Sequence, residues 1–171
     1  LCNACMDSCW FFYVFWIPKF LGTKFNYTLA DIGKTAWIPF VTAALGNISG
    51  GLVTRWIISS GVSVPTARKA SSALFACLMP SAVPAIMAAD PMVAIAWISV
   101  ATFGYCGFVT NGLAFPADVF PSRMSASVYG LASMGTGIGG TLFGWLTGWT
   151  VERHGYFPVF IAYGIMPLIG L

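Results

Sequence analysis

Pro91-Met92-Val93-Ala94-Ile95-Ala96-Trp97-Ile98-Ser99-Val100 opens a run of 27 residues, Pro91 to Ala117, that contains no charged side chain. About 20 residues of α-helix cross a hydrocarbon core, so this stretch has the length and chemistry of a membrane span. Outward from it, Thr35 to Thr54, Ala70 to Ala89, Met124 to Val151 and Gly155 to Leu171 are also uncharged, at 20, 20, 28 and 17 residues. A shorter apolar stretch, Ser8 to Pro18, follows Asp7. Strands of a membrane barrel would alternate in polarity. These runs do not, so each segment must satisfy its backbone groups internally, as a helix. The expectation is an all-α integral membrane chain of six transmembrane helices.

Composition agrees. Of the 171 residues, 58% are hydrophobic and 8% charged, with a mean hydropathy of +0.82. A soluble domain carries about 25% charged residues. Thirteen charged side chains and one His cannot keep a globule of this size in water, and so apolar a chain is not disordered. Lys and Arg divide evenly between alternate loops: Arg55, Arg68, Lys69 and Arg123 against Lys19, Lys24, Lys34 and Arg153. The count gives no orientation, and the net charge of +3 implies no nucleic-acid partner. The chain starts Leu1-Cys2-Asn3 and stops at Ile169-Gly170-Leu171 within an apolar run. Residues 1–171 therefore read as one six-helix unit whose first and last helices are incomplete.

Punctuation between the spans is clear. Pro80 and Pro84 should bend the third span, because each removes a backbone donor. Ala89-Asp90-Pro91 reads as a tight turn. The segment Gly22 to Lys34 reads as a polar connection and Thr150 to Tyr156 as the loop before the last span. The aromatic run Trp10-Phe11-Phe12-Tyr13-Val14-Phe15-Trp16 suits an interface belt or a cavity wall, the belt being the commoner case.

Span five is the richest in glycine. Gly140, Gly144 and Gly148 recur every fourth residue and share one helix face, where small residues let membrane helices approach. Gly135-Thr136-Gly137-Ile138-Gly139-Gly140 fits a dinucleotide fingerprint only formally, since no strand precedes it. Cys2, Cys5 and Cys9 line one helix side, but with no fourth ligand nearby they read as packing residues, not a metal site. A membrane serine protease would need a nucleophile and a His within reach of each other. Asn47-Ile48-Ser49-Gly50 and His154 lack that arrangement, so no enzyme and no cofactor is expected.

Polar groups inside the spans carry more information. A carboxylate in a bilayer costs at least about 2.5 kcal/mol and needs a cavity, a partner or a proton. Asp7 is such a group if the first span begins upstream of it, and a solvated helix end if the span begins there. Asn47, Asn111 and Ser133 also fall within spans, and each could serve an interhelical hydrogen bond instead of a ligand.

At these residues the chain resembles the C-terminal half of a major facilitator superfamily transporter, nearest the hexuronate-transporter branch of the anion:cation symporters. Asp7 to Leu21 resembles that branch's seventh helix, and Ala36-Trp37-Ile38-Pro39-Phe40 with Gly50-Gly51-Leu52 its eighth. Pro116-Ala117-Asp118-Val119-Phe120-Pro121 with Ser127-Val128-Tyr129-Gly130-Leu131 is the most specific stretch. Gly155-Tyr156-Phe157-Pro158-Val159 is similar to the junction before the twelfth. The resemblance implies a twelve-helix fold of which this chain is half, the N-terminal half being its partner. It implies proton-coupled symport of a sugar acid by alternating access, in a bacterial inner membrane. An uncoupled or exchange carrier of another organic anion, and a non-transporting membrane scaffold or truncated inactive product, are the other readings. It places Asp7, Thr110, Asn111 and Ser133 toward the substrate and Arg55, Asp118 and Arg123 at the cytoplasmic gate. Thr54 departs from the branch, which usually carries an acid before that Arg.

Overall fold

The computed structural model describes the backbone of residues 2–169 and the side chains of residues 7–121 and 123–166. Its elements are helices, with no strand among the described residues: α1 (Cys2–Phe25), α2 (Leu29–Thr35), α3 (Trp37–Ser59), α4 (Val64–Ala76), α5 (Pro84–Met87), α6 (Pro91–Val119), α7 (Ser122–His154) and α8 (Phe157–Ile169). Three stretches have the length and hydropathy to cross a membrane: Leu29–Ser59, Val64–Met87 and Pro91–Val119. Phe157–Met166 is a shorter apolar helix. α1 and α7 are 24 and 33 residues long.

Local chemistry sets the boundaries. α1 ends at Asn26, whose φ of 54° is the left-handed conformation that Asn tolerates at a helix C-terminus. α2 starts with a capping box in which Thr28 Oγ1 accepts from the Asp31 amide and the Asp31 carboxylate accepts from the Thr28 amide. The expected polar connection is thus partly helical: α1 runs one turn beyond Leu21, and α2 occupies most of the rest. Asp90 caps α6 by accepting from Met92 N at 2.7 Å, with Pro91 in the first turn. The expected bend is present. α4 stops at Ala76, a 3-10 turn spans Met79–Ala82, and α5 begins at Pro84. Contrary to the expected loop from Thr150, α7 continues through His154 and stops at Gly155, where φ is 74°.

α6 is the most enclosed helix, with residues such as Ile95, Ile98, Tyr105 and Asn111 buried. Its closest neighbour is α3. A Cβ on Gly46 would stand 2.3 Å from Phe103 O, and one on Gly50 would stand 2.6 Å from Gly107 O. Backbone meets backbone there. On the opposite side the Phe75 ring of α4 occupies the space a Cβ of Gly107 would need. α1 and α7 run in the same direction, since Asp7 meets Thr136, Phe11 meets Gly140 and Trp16 meets Gly148. The aromatic run of α1 divides. Phe12 and Phe20 are buried and pack on Phe160 at 5.0 and 5.2 Å, so they are core and not belt, whereas Phe15 is exposed. Lys24 donates to the carbonyls of Ile86 and Ala88 and so fastens the end of α1 to the corner after α5.

The α3–α6 contact predicts a sharp asymmetry between adjacent glycines. Gly50→Ala forces a methyl into the α6 backbone and should cost about 1–3 kcal/mol, while Gly51→Ala, which meets nothing within 4 Å, should be neutral. Thermal unfolding of the two purified variants in detergent checks this; equal melting temperatures would contradict the packing.

Candidate functional site

The polar residues of the spans separate into an open group and a closed one. The open group surrounds a cavity of about 490 Å³ between α1, α3, α6 and α7. Asp7 lies in the second turn of α1, half-buried on the cavity wall, and not at a solvated helix end. Tyr105 OH of α6 donates to Asp7 Oδ1 at 3.3 Å, and Thr136 Oγ1 of α7 donates to Asp7 Oδ2 at 2.5 Å. Asn47 of α3 also lines the cavity, and its Oδ1 accepts from Thr110 Oγ1 at 2.9 Å. Trp10 forms an aromatic wall with Tyr105, stacked at 5.8 Å, and with Phe40, edge-on at 6.0 Å. Carboxylate, amide, hydroxyl and aromatic face together can bind a small polyhydroxylated molecule, the amide and hydroxyls both donating and accepting.

The closed group centres on Asn111, which is 1% exposed. Thr54 Oγ1 donates to its Oδ1 at 2.5 Å, and its Nδ2 donates to Ser71 Oγ at 3.0 Å and Gly107 O at 3.1 Å. This network joins α3, α4 and α6, and Asn111 does not line the Asp7 cavity. Thr54 suits that place. It is 4% exposed, and a carboxylate there would be a buried charge facing a neutral amide and hydroxyl, which is costly. Ser133 is exposed, one turn before Thr136 on α7. The structure therefore brings Asp7, and through Asn47 also Thr110, to one cavity, and leaves Asn111 and Ser133 off its wall. Tyr105 and Thr136 escaped the sequence reading. Thr136 lies three residues from Ser133, so helix spacing put a hydroxyl within one turn of the residue chosen.

At the charged end, Asp118 is bridged by the guanidinium of Arg68 from α4, while Arg55 and Arg123 are exposed. The side chains of Cys2 and Cys5 lie outside those described, and Cys9 is buried. Ser49 bonds its own helix at Gly46 O, and His154 lies against Trp149.

The glycine face of α7 is uneven. A Cβ on Gly140 would stand 2.7 Å from the Phe11 ring; on Gly148 it would meet Trp16 at 3.7 Å; on Gly144 it would meet nothing within 4 Å. Gly144 borders an open crevice of about 250 Å³ between α1 and α7. The close approach expected along the whole face is thus made at Gly140.

No family model matches the chain. It is 29% identical over 168 residues to the hexuronate transporter of Escherichia coli K12, covering 96% of this chain and 38% of that protein. The chain's relatives are sugar-acid transporters. It is 25% identical over 167 residues to the D-galactonate transporter of E. coli O6:H1, covering 98% of the chain and 38% of the relative. It is 26% identical over 168 residues to the probable galactarate/D-glucarate transporter of E. coli K12, covering 98% and 37%. The likeness to hexuronate transporters read from the residues is thereby borne out, and these relatives are named as transporters, not enzymes. The chain spans less than two-fifths of the length of each relative.

Gly140→Leu should displace Phe11, loosen α1 from α7 and cost about 1–3 kcal/mol. Gly144→Ala, with open space beside it, should stay within about 0.5 kcal/mol of the parent. Melting temperatures of the full-length variants decide the point; a destabilised Gly144→Ala beside a tolerated Gly140→Leu would reverse the assignment.

Proposed function

We propose that this chain forms one six-helix half of a proton-coupled sugar-acid transporter of the major facilitator type, residing as a multi-pass protein in a bacterial inner membrane. The observation that carries the proposal is the cavity at Asp7. A carboxylate, an amide and hydroxyls from four helices line a space large enough for a small organic acid, in a chain whose relatives are named for such acids. Asp7 and Thr110, joined by Asn47, Tyr105 and Thr136, face the substrate. Asn111 holds the scaffold behind them, and Asp118 with Arg68 closes the charged end. The complete protein supplies the second half, and the two halves rock about a site near the membrane midplane. Sugar acids are anions, so uptake with protons offsets their charge and lets a proton gradient drive accumulation.

The test uses the full-length protein in proteoliposomes with radiolabelled glucuronate, galactonate and glucarate. An inward proton gradient should drive accumulation above equilibrium, a protonophore should abolish it, and counterflow should survive without any gradient. Counterflow with no gradient-driven accumulation would replace symport by exchange. Neither activity would leave a non-transporting membrane scaffold.

A further inference from the structure

The Asp7 cavity poses a charge problem. Its expected substrate class is anionic, yet this chain contributes a carboxylate to the wall, and none of its eight Lys and Arg side chains lines the cavity. Several basic groups are engaged elsewhere. Lys24 is spent on backbone carbonyls, Arg68 on Asp118, and Lys19 and Arg153 lie over the rings of Trp16 and Trp149. Two ionised carboxylates in contact against a low-dielectric wall repel strongly, and no cation of this chain lies in the wall to offset a second one.

The hydrogen-bond inventory says what can face Asp7 instead. An ionised carboxylate has two oxygens and about four acceptor positions. Tyr105 takes one position on Oδ1 and Thr136 one on Oδ2, which leaves one further acceptor on each oxygen unclaimed among the described residues. Adjacent hydroxyls on a sugar chain present two O–H donors at a spacing close to that of two carboxylate oxygens. The Trp10 wall, stacked on Tyr105, stands beside these acceptors as an apolar surface for the C–H face of the same molecule.

Resting on the transport reading, we infer that Asp7 is the acceptor for two adjacent hydroxyls of the sugar acid, and that the acid's carboxylate points away from this chain. Tyr105 and Thr136 are positioning residues: each fixes one oxygen, so the remaining acceptor directions are set before the ligand arrives. This half then reads hydroxyl pattern, and discrimination between sugar acids and simple carboxylates arises at Asp7.

Equilibrium binding to the detergent-purified full-length protein tests this with galactonate, glucuronate and a panel of monodeoxy analogues. The wild type should bind the fully hydroxylated acid at least tenfold tighter than at least one monodeoxy analogue. Asp7→Asn should bring that ratio within twofold, with the fully hydroxylated acid losing more affinity than the same analogue. If the substrate carboxylate faced Asp7 instead, removing the negative charge would tighten binding of every acid, and that result overturns the inference. An equal loss for all ligands, or no loss, overturns it too. Should Asp7→Asn fail to insert, Asp7→Glu keeps both acceptors but moves them by a methylene, and must change which monodeoxy analogue is disfavoured; an unchanged ranking counts against the inference. A wild type that binds no sugar acid defeats both this inference and the transport reading. A wild type that binds and transports them with Asp7→Asn unaltered defeats the hydroxyl assignment alone.

Discussion

Backbone contact between α3 and α6 is the constraint from which the rest of the molecule follows. In a bilayer, helices gain little by hiding apolar side chains from one another, since lipid is equally apolar; close packing and interhelical hydrogen bonds must hold them. Gly46 and Gly50 let α3 approach the carbonyls of Phe103 and Gly107 more closely than any side chain would allow. The polar contacts lie within the same few turns. Asn47 is one residue beyond Gly46, and its partner Thr110 is three beyond Gly107. Tyr105, between Phe103 and Gly107, reaches the carboxylate of Asp7. A side chain at either glycine would push α3 from α6 and pull these groups out of hydrogen-bond range together.

Two polar nodes, one buried and one half-buried, meet on α6 with opposite consequences. Around Asn111 the amide finds partners in Thr54, Ser71 and the Gly107 carbonyl, and it does not line the Asp7 cavity. A satisfied network of this kind rigidifies without offering a site. Around Asp7 the partners are two hydroxyls on an open wall, so acceptor capacity remains for a ligand. The difference is occupancy, not chemical type. Thr110 and Asn111 show how finely it is drawn: adjacent in sequence, they point about 100° apart around the helix, one toward the Asn47 side of the cavity and the other into the α4 contact.

Much of this was legible in the sequence, within limits that have physical causes. Uncharged runs located the apolar helices because burying charge in lipid is costly, and Pro80, Pro84 and Asp90-Pro91 marked real breaks because proline removes a donor. Asp7 and Asn47 stood out as polar groups in apolar runs, and Thr110 entered only through the family resemblance. The glycine reading was less successful, for a definable reason. Frequency favoured α7, but what glycine achieves depends on what stands opposite. Gly144 faces open space, while the sparser Gly46 and Gly50 face backbone. Likewise Phe12, Phe15 and Phe20 look equivalent in a list of aromatics, and only helix rotation separates core from surface. Thr136 was hidden inside a glycine-rich motif that had been considered only as a nucleotide signature and set aside. Its partner on α1 lies 129 residues away, a separation that no local pattern encodes.

The way the helices are joined gives Asp7 a mechanical position as well as a chemical one. α3, α4 and α6 are held by backbone approach and the neutral Asn111 network, contacts that a small shift would break. α1 rests on α7 through aromatic rings laid over glycines and on α8 through edge-on and stacked aromatics, where surfaces are smoother. α8 bridges the two groups where Gly164 lies over Pro80 in the 3-10 turn. Half-buried on the cavity wall, Asp7 of α1 takes hydrogen bonds from both α6 and α7. Each of its oxygens belongs to a different group of helices. On the transport reading proposed above, a ligand that competes for those oxygens, or adds to them, would change the balance between the rigid group and the smoother one, and so couple binding to helix arrangement.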